Sequence, residues 1–292
     1  MKALGTLRVF DVEHRRTFGW TGEQLPVVGQ GTWRLEETDR GRAVEAVRAG
    51  MDAGMTLIDT AEMYGNGVAE ELTGEAIRGR GPEVFLVSKV LPSNASYDGT
   101  LRACERSLKR LGVDRLDLYL LHWESQYPLR ETMRAMETLV SRGLIRYIGV
   151  SNFDLDQVRE AQQALQSNRL ACDQVLFHLK DRGIERRLLP YCREQQIAIM
   201  GYSPFGHGDF PKHTTAGGLI LEEIAQRHKK TARQTALNFL ASRDVFVIPK
   251  SGDSEHAIEN SGGMGWGLTE EEYAIIDHAF PVPDHDVPLG MI

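Results

Sequence analysis

The sequence predicts an α/β protein, a TIM barrel of the (β/α)8 type. Short apolar runs of β type alternate with helical patterns along the chain, and this alternation implies a parallel sheet. Eight such units favour a closed barrel over an open sheet. Five of the runs end in polar residues: LIDT at 57–60, FLVSK at 85–89, LYLLH at 118–122, IGVSN at 148–152 and VFVIPK at 245–250. Polar groups at the C-terminal rim of a barrel are normally the site of its chemistry.

The elements are predicted in order from hydrophobic periodicity. Residues 16–23 are typical of a hairpin with a tight glycine-containing turn, which we expect to plug the bottom of the barrel. The first strand is predicted at 27–29, and the others begin near residues 57, 84, 116, 145, 172, 198 and 245. Helices are predicted at 39–53, 68–78, 96–111, 129–142, 154–166, 186–195, 231–242 and 254–260. In the first of these, Val44, Val47 and Met51 recur at helical spacing.

Residues that start and stop helices support these boundaries. Either Ser96 or Asp98 is expected to cap one helix, and Thr231 another, while glycines stand where helices should end, at 54, 112 and 143.

The end of the chain departs from the regular alternation. An insertion at 203–230 is long enough to hold an extra helix, expected at 217–229. A last helix is predicted at 269–280, followed by a proline-rich, loop-like tail. No linker divides the chain, so residues 1–292 are expected to form one domain.

Composition and charge exclude several classes of partner. The chain has 292 residues and a net charge of −7, and its one dense basic cluster, 14–16, is too small for a nucleic-acid-binding surface. No apolar run approaches the roughly 20 residues that cross a bilayer, and no secretory leader opens the chain. Cys104, Cys172 and Cys192 are odd in number and far apart, as free thiols in a reducing compartment would be. We therefore expect a cytoplasmic protein.

Four residues near strand ends suggest proton chemistry. Asp59 and Lys89 close adjacent predicted strands, so a salt bridge across the barrel mouth is geometrically easy. Tyr64 follows Asp59 in a loop that can reach over the rim, where an ammonium would favour the phenolate and lower the tyrosine pKa. His122 ends the next strand and can hydrogen-bond a substrate oxygen. Tyr64 as a packing aromatic and His122 as a core histidine remain open alternatives.

Eight short motifs occur in a fixed order between residues 25 and 260. They are Leu25-Pro26-x-x-Gly29-x-Gly31-Thr32-Trp33, Asp59-Thr60-Ala61-x-x-Tyr64-Gly65, Val87-Ser88-Lys89, Leu121-His122-Trp123, Gly149-Val150-Ser151-Asn152-Phe153, Tyr202-Ser203-Pro204-Phe205-Gly206, Ile248-Pro249-Lys250-Ser251 and Glu259-Asn260. Most are weak singly, but the ordered set is specific. With it the chain closely resembles the aldo-keto reductase superfamily.

The resemblance implies an NADPH-dependent carbonyl reductase that converts an aldehyde or ketone into an alcohol. Carried over by position, Tyr64 would be the proton donor and Lys89 the partner that adjusts its pKa. Asp59 would hold Lys89, and His122 would orient the carbonyl. No G-x-G-x-x-G follows a strand, so the coenzyme is not expected in a Rossmann fold. The other partner would be a small-molecule carbonyl, and relatives are commonly monomeric.

The resemblance also implies which residues hold the coenzyme. The nicotinamide would stack on Tyr202, and its carboxamide would meet Ser151, Asn152 and Gln174. The other implied contacts are Gly31, Thr32 and Asp59, with Thr32 near the ribose; Ser203, Pro204 and Phe205 in a loop over the pyrophosphate; Lys250, Ser251 and His256 at the 2′-phosphate; and Glu259 and Asn260 at the adenine.

One of these positions departs from the family pattern. Many members carry an arginine six residues past the lysine that corresponds to Lys250, whereas this chain has His256. A neutral imidazole lacks the fixed charge and the two-pronged donor geometry of guanidinium. NADPH is therefore expected to be preferred, with NADH used more weakly.

The substrate mouth is expected to be lined by Trp33, Trp123, Tyr64 and His122, with Met63 and tail residues beyond. Aromatic walls suit carbonyl compounds with an apolar body. Glu124 stands where a proline often follows His-Trp, and it either places a carboxylate near the mouth or simply faces solvent.

Three further possibilities concern metal ions and other functions. No metal site is expected, because the acidic and histidine residues at 207–213 and 284–286 lack a fixed ligand spacing on rigid elements. A cofactor-binding regulatory subunit on the same scaffold is the main alternative to an enzyme. A Schiff-base aldolase that uses Lys89 is the other, although an ion pair with Asp59 would disfavour a neutral amine.

Overall fold

The computed structural model describes residues 9–292 and contains twelve short strands. In chain order they are β1 Val9–Val12, β2 Arg15–Thr17, β3 Gln24–Pro26, β4 Gln30–Gly31, β5 Leu57–Asp59, β6 Phe85–Val90, β7 Leu116–Leu121, β8 Ile145–Ser151, β9 Leu170–Leu176, β10 Ala198–Tyr202, β11 Val245–Ile248 and β12 Trp266–Thr269. Strands β4 to β11 form one eight-stranded sheet in sequence order. Every neighbouring pair in that sheet is parallel.

The barrel closes between its first and last strands. Isolated parallel bridges join Val28 to Val247 and Gly31 to Lys250. The predicted barrel is therefore confirmed, but the boundary of its first strand was wrong. Residues 27–29 bond to β11, and the Val27 N–H also donates to the His14 carbonyl oxygen, whereas pairing with β5 begins at Gln30. Because the strand ends of a parallel barrel share one rim, this closure brings Lys250 to the same mouth as Asp59.

Within the described part of the chain, ten α-helices cover the outside of the barrel or follow it. They are α1 Arg40–Asp52, α2 Val68–Ala76, α3 Tyr97–Leu111, α4 Leu129–Ser141, α5 Leu155–Ala164, α6 Leu188–Glu194, α7 Ala216–His228, α8 Ala232–Ala241, α9 Ser254–Ser261 and α10 Glu270–Ala279. Both ends of each helix lie within two residues of the predicted ends, including those of α7 in the insertion. The tail after α10 is loop, as predicted.

Helix caps explain why the boundaries were predictable. Ser96, not Asp98, caps α3 by accepting a hydrogen bond from the Gly99 N–H. Thr231 caps α8 in a reciprocal capping box with Gln234. At the end of α3, Gly112 has a φ of 65°, a left-handed conformation that glycine adopts without steric cost.

The N-terminal hairpin closes the floor of the barrel, as predicted. Strands β2 and β3 pair antiparallel, and the turn between them buries Phe18 completely. The Phe18 ring lies 5.5 Å from that of Phe85 and 5.0 Å from that of Phe246, measured between centroids. Both partners lie at the starts of their strands, so the plug sits opposite the polar rim.

One element was not predicted. Strands β1 and β12 form a separate antiparallel ribbon that pairs Phe10 with Leu268. Neither four-residue strand has a period long enough to distinguish it from loop, and each pairs only with the distant other. Among the helices of residues 9–292, none is long and apolar enough to cross a membrane.

Candidate active site

The polar ends of the barrel strands surround a cavity of about 260 Å³. Most of the side chains predicted to form the site meet there. The predicted residues that line it are Gly31, Trp33, Asp59, Tyr64, His122, Trp123, Ser151, Asn152, Gln174, Tyr202, Ser203 and Lys250. Residues from seven of the eight barrel strands or the loops that follow them therefore converge as the rim argument predicted.

A buried ion pair lies at the edge of this cavity. The Lys89 ammonium is 2.7 Å from Asp59 Oδ2, and both side chains are almost fully buried. Lys89 also donates to the Thr60 carbonyl oxygen at 2.9 Å, and the Gln174 amide donates to Asp59 Oδ1 at 2.7 Å. A buried pair of opposite charges is tolerated when further hydrogen bonds satisfy it, as they do here.

The pKa directions agree with a charged lysine. Burial alone would lower the pKa of the Lys89 ammonium, but Asp59 and Tyr64 raise it above its ordinary value. Burial raises the pKa of the Asp59 carboxyl, while the charge of Lys89 and two hydrogen bonds oppose that rise. A lysine with a raised pKa is a poor Schiff-base nucleophile, because only the neutral amine attacks a carbonyl.

Lys89 also connects the ion pair to the tyrosine. Its Nζ donates a hydrogen bond to the Tyr64 hydroxyl oxygen at 3.0 Å. Burial raises the pKa of the Tyr64 phenol, and although Lys89 lowers it, the net direction is upward. The ammonium therefore acts on this pKa in the predicted direction, but desolvation of the buried phenol outweighs it. The phenol consequently keeps its proton at neutral pH.

His122 packs edge-on against Tyr64 in the lining of the cavity. The centroids of the two rings are 5.7 Å apart, and their planes meet at 75°. Among the described residues, the buried Nδ1 of His122 has no hydrogen-bond partner. Burial, aided by the charge of Lys89, holds the pKa of His122 well below its ordinary value. A neutral imidazole with unused hydrogen-bonding capacity therefore lies beside the phenol.

The buried state of His122 predicts a pH-dependent stability. The unfolded chain takes up a proton near the ordinary pKa of 6.5, whereas the folded chain does not. Stability is therefore fully kept above that pH and is lost as the pH falls from it toward the lowered folded pKa. We expect this group to contribute a slope of up to about 1.4 kcal/mol per pH unit in the free energy of unfolding. The slope should become shallower in His122→Asn, as measured by urea unfolding in buffers across that range.

The control for this measurement is a histidine on the surface. His213 is exposed in the loop before α7, so His213→Asn should preserve the wild-type slope. Identical slopes in wild type and His122→Asn would contradict a neutral, buried His122.

A second group of side chains lines the cavity beside His122. The Tyr202 hydroxyl donates to Asn152 Oδ1 at 2.7 Å, and Asn152 Nδ2 donates to the His122 carbonyl oxygen at 3.0 Å. Asn152 has a φ of 60°, an uncommon conformation outside glycine that asparagine tolerates better than most residues. Ser151 donates to the Gln174 carbonyl oxygen at 2.8 Å. The bonds to His122 and Tyr202 fix the orientation of the Asn152 amide in the lining of the cavity.

The remaining predicted coenzyme residues lie outside the cavity wall. Thr32 is buried beneath it and donates to the Asp59 carbonyl oxygen at 3.0 Å. The others are Pro204 and Phe205 in the insertion, Ser251 before α9, and His256, Glu259 and Asn260 within α9. The structure thus divides the predicted set into a group at the cavity, the buried Thr32, two residues of the insertion and a group in or just before α9.

The insertion reaches the mouth of the cavity beside Trp33. The His207 ring lies 4.9 Å from the Trp33 ring, and Phe205 packs edge-on against Phe210 at 5.6 Å. Glu124 is exposed and accepts a hydrogen bond from Gln157 at 2.9 Å. It does not line the cavity, which favours the solvent-facing alternative.

Some lining residues were predicted only in general terms or missed. Met63 was expected at the mouth, and the tail contributes Met291 and Ile292. Ile248 was not assigned, although its place at the end of a barrel strand was a usable signal. Among residues 9–292, no group of three or more histidine, cysteine or acidic side chains is arranged to hold a metal ion.

Comparison with known proteins agrees with this architecture. The sequence profile of the aldo/keto reductase family matches residues 27–280. The chain belongs to this family of oxidoreductases, which reduce carbonyl groups. It is 44% identical over 271 residues to methylglyoxal reductase YeaE of Escherichia coli (strain K12), covering 92% of this chain and 95% of that protein. It is also 35% identical over 259 residues to glyoxal reductase of Bacillus subtilis (strain 168), covering 88% and 89%.

A solved structure of the same family has the same fold. An aldo/keto reductase from Klebsiella pneumoniae in complex with NADP and acetate superposes with a TM-score of 0.88 at 40% identity, covering 96% of this chain and 100% of that one.

Proposed function

We propose that this enzyme reduces an aldehyde or ketone to an alcohol with NADPH, and that Tyr64 donates the proton. The observation that carries the proposal is the hydrogen-bonded series from Asp59 through Lys89 to the Tyr64 hydroxyl at the wall of the cavity. A buried, protonated phenol beside a fixed ammonium is suited to give up a proton where negative charge develops.

The residues of the chain supply orientation and the proton. When bound, the nicotinamide coenzyme supplies a hydride to the carbonyl carbon. A carbonyl oxygen placed between Tyr64 and His122 would accept hydrogen bonds from both, because the neutral imidazole keeps an N–H donor. As negative charge grows on that oxygen, Tyr64 transfers its proton to it. The Lys89 ammonium stabilises the resulting phenolate until solvent restores the proton.

The cavity wall fits a nicotinamide nucleotide. Tyr202 offers a ring for stacking. The donors of Asn152 and Ser151 already bond to neighbouring groups, but the amide oxygen of Asn152 and the hydroxyl oxygen of Ser151 keep acceptor capacity for a carboxamide N–H. Gly31 lines the same wall, and a Cβ built on it would lie 3.0 Å from the Ile248 carbonyl oxygen. Glycine at this position therefore allows the first and last barrel strands to approach closely at the cavity wall. The Gln174 amide already donates one hydrogen bond to Asp59. We therefore propose that its main role is to support the ion pair and that its contact with the carboxamide is secondary.

We also propose NADPH as the preferred coenzyme and NADH as a weaker one. The bound NADP of the Klebsiella pneumoniae structure supports the first part. The second part rests on His256, which is exposed on α9 where many relatives present an arginine to the 2′-phosphate.

The size of the cavity and its aromatic wall favour a small substrate. A cavity of about 260 Å³, shared with the nicotinamide, leaves space for a short carbonyl compound against Trp33 and Trp123. The names of the two relatives, methylglyoxal reductase and glyoxal reductase, point to the same size class. We propose short 2-oxoaldehydes as the substrate class.

The test of this proposal follows the loss of NADPH absorbance with a panel of carbonyl compounds. Methylglyoxal and glyoxal should give a kcat/KM at least about tenfold above those of benzaldehyde, butanal and glucose, because selectivity of this order needs only about 1.4 kcal/mol of differential transition-state binding. Binding titrations should show a lower Kd for NADPH than for NADH. A coenzyme that binds without turnover of any carbonyl would instead favour the regulatory-subunit alternative.

We further propose that residues 1–292 act as one domain and as a monomer in the cytoplasm. The three cysteines are all free and buried in the structure, which supports a reducing compartment.

A further inference from the structure

The loop that carries Tyr64 is attached to the strand that carries Lys89 by a second acidic residue. Glu62 lies two positions before Tyr64, and its side chain is only 5% exposed. Its Oε1 accepts hydrogen bonds from the Leu91 backbone N–H at 2.8 Å and from Asn94 Nδ2 at 2.9 Å. Leu91 directly follows β6. The Glu62 backbone N–H also points to the Lys89 carbonyl oxygen, at 3.4 Å.

These bonds restrain the loop on one side of Tyr64. On the other side the backbone is irregular, since Gly65, Asn66 and Gly67 have φ values of 56°, 54° and 96°. A left-handed asparagine between two glycines does not continue a helix. The position of Tyr64 relative to Lys89 therefore depends on the bonds of Glu62 more than on regular secondary structure.

The buried Glu62 carboxylate is compensated by hydrogen bonds and an ion pair. A buried carboxylate is costly unless it is paired and hydrogen-bonded, and this one has both donors on Oε1 and Arg106 of α3 at 3.4 Å from Oε2. Glu62 does not line the cavity, so it cannot touch the substrate. The contacts of its carboxylate instead run from the Tyr64 loop to the segment after Lys89.

We propose that Glu62 is a positioning residue that holds the Tyr64 hydroxyl within hydrogen-bonding distance of Lys89. This inference rests on the proposed function and deepens it. A displacement of about 1 Å at a reacting group costs on the order of 100-fold in rate, so a loop clamp of this kind is able to control turnover without contacting either ligand.

The direct test is Glu62→Ala. We expect kcat to fall about 10- to 100-fold while the Kd for NADPH changes less than about twofold, because only the acid is misplaced. The groups that face Tyr64 are Lys89, Asp59 and His122. Lys89 lowers the pKa of Tyr64. A longer distance between the two groups in Glu62→Ala should therefore move the high-pH limb of kcat to higher pH. In Glu62→Gln the side-chain oxygen can still accept from Leu91, so kcat should stay within about threefold of wild type.

A matched control exists elsewhere in the barrel. Glu137 of α4 also clamps a loop through its carboxylate, which accepts from the backbone N–H groups of Gln166, Ser167 and Asn168 at 3.0, 2.7 and 3.0 Å. Glu137→Ala removes the same kind of bond away from the cavity, so it should lower the Tm without changing kcat or its pH limb. An equal loss of kcat in Glu137→Ala would show that general instability, and not positioning, explains the effect.

Two further measurements keep the inference testable. If Glu62→Ala does not fold, Asn94→Ala removes one donor to the same oxygen and should lower kcat by about two- to fivefold. If the wild type turns over no carbonyl, the proposed function fails, but the Tyr64 phenolate can still be titrated by ultraviolet difference against Tyr64→Phe. A Tyr64 titration and a kcat that are unchanged by loss of Glu62 or Asn94 would overturn the proposal.

Discussion

Tyr64→Phe is expected to bind NADPH with nearly wild-type affinity and to lose about 100- to 10,000-fold in kcat, the usual contribution of a general acid. The substitution removes only the hydroxyl that accepts the hydrogen bond from Lys89, and the ring can stay packed at the cavity wall. Coenzyme titration by fluorescence and NADPH oxidation with methylglyoxal measure the two quantities separately.

A second tyrosine provides the control for that experiment. Tyr191 on α6 donates its hydroxyl proton to Gln162 at 2.8 Å, away from the cavity. Tyr191→Phe removes a comparable hydrogen bond and should leave kcat unchanged. Wild-type turnover in Tyr64→Phe would refute Tyr64 as the proton donor.

Lys89→Met is expected to damage both stability and catalysis. The substitution leaves the Asp59 carboxylate buried without its cation, a change that typically costs about 3–5 kcal/mol in the free energy of unfolding. It also removes the ammonium that would stabilise the Tyr64 phenolate, so kcat should fall by at least about 100-fold. Urea unfolding and NADPH oxidation measure these two losses.

The double variant Asp59→Asn/Lys89→Met separates the two effects. Replacing the carboxylate by a neutral amide removes the uncompensated charge, so much of the lost stability should return while kcat stays low. Recovery of turnover in the double variant would show that Lys89 acts only as a structural partner of Asp59.

The barrel was predictable because each unit carries its own local signals. The helices have caps such as Thr231 with Gln234, and the strands are apolar runs with polar ends. The β1–β12 ribbon was not predictable, since its two short strands lie at opposite ends of the chain. Local periodicity records which face of an element is apolar, but not which distant segment it will meet.

The sequence predicted most of the residues that gather at the cavity, but not the hydrogen bonds between them. Asp59, Lys89 and Tyr64 were expected together, and the structure brings them together. The bond from Gln174 to Asp59 depends on how β9 aligns with its neighbours, where a register shift occurs at Ile148. The direction of the Tyr64 pKa depends on burial, which the sequence pattern does not measure. Glu62 stands at an unspecified position of its motif, so no sequence signal singled it out.

The bond between Gln174 and Asp59 has a consequence for the order in which the chain folds during synthesis. The two residues are 115 positions apart, so the carboxylate gains that donor only after the later half of the polypeptide has docked. An amino-terminal fragment ending before β9 would contain Tyr64, Lys89 and His122, yet its Asp59 carboxylate would lack the hydrogen bond that Gln174 provides in the intact chain. Activity should therefore emerge late in biosynthesis, and half-barrels mixed in trans should regain it only when they associate.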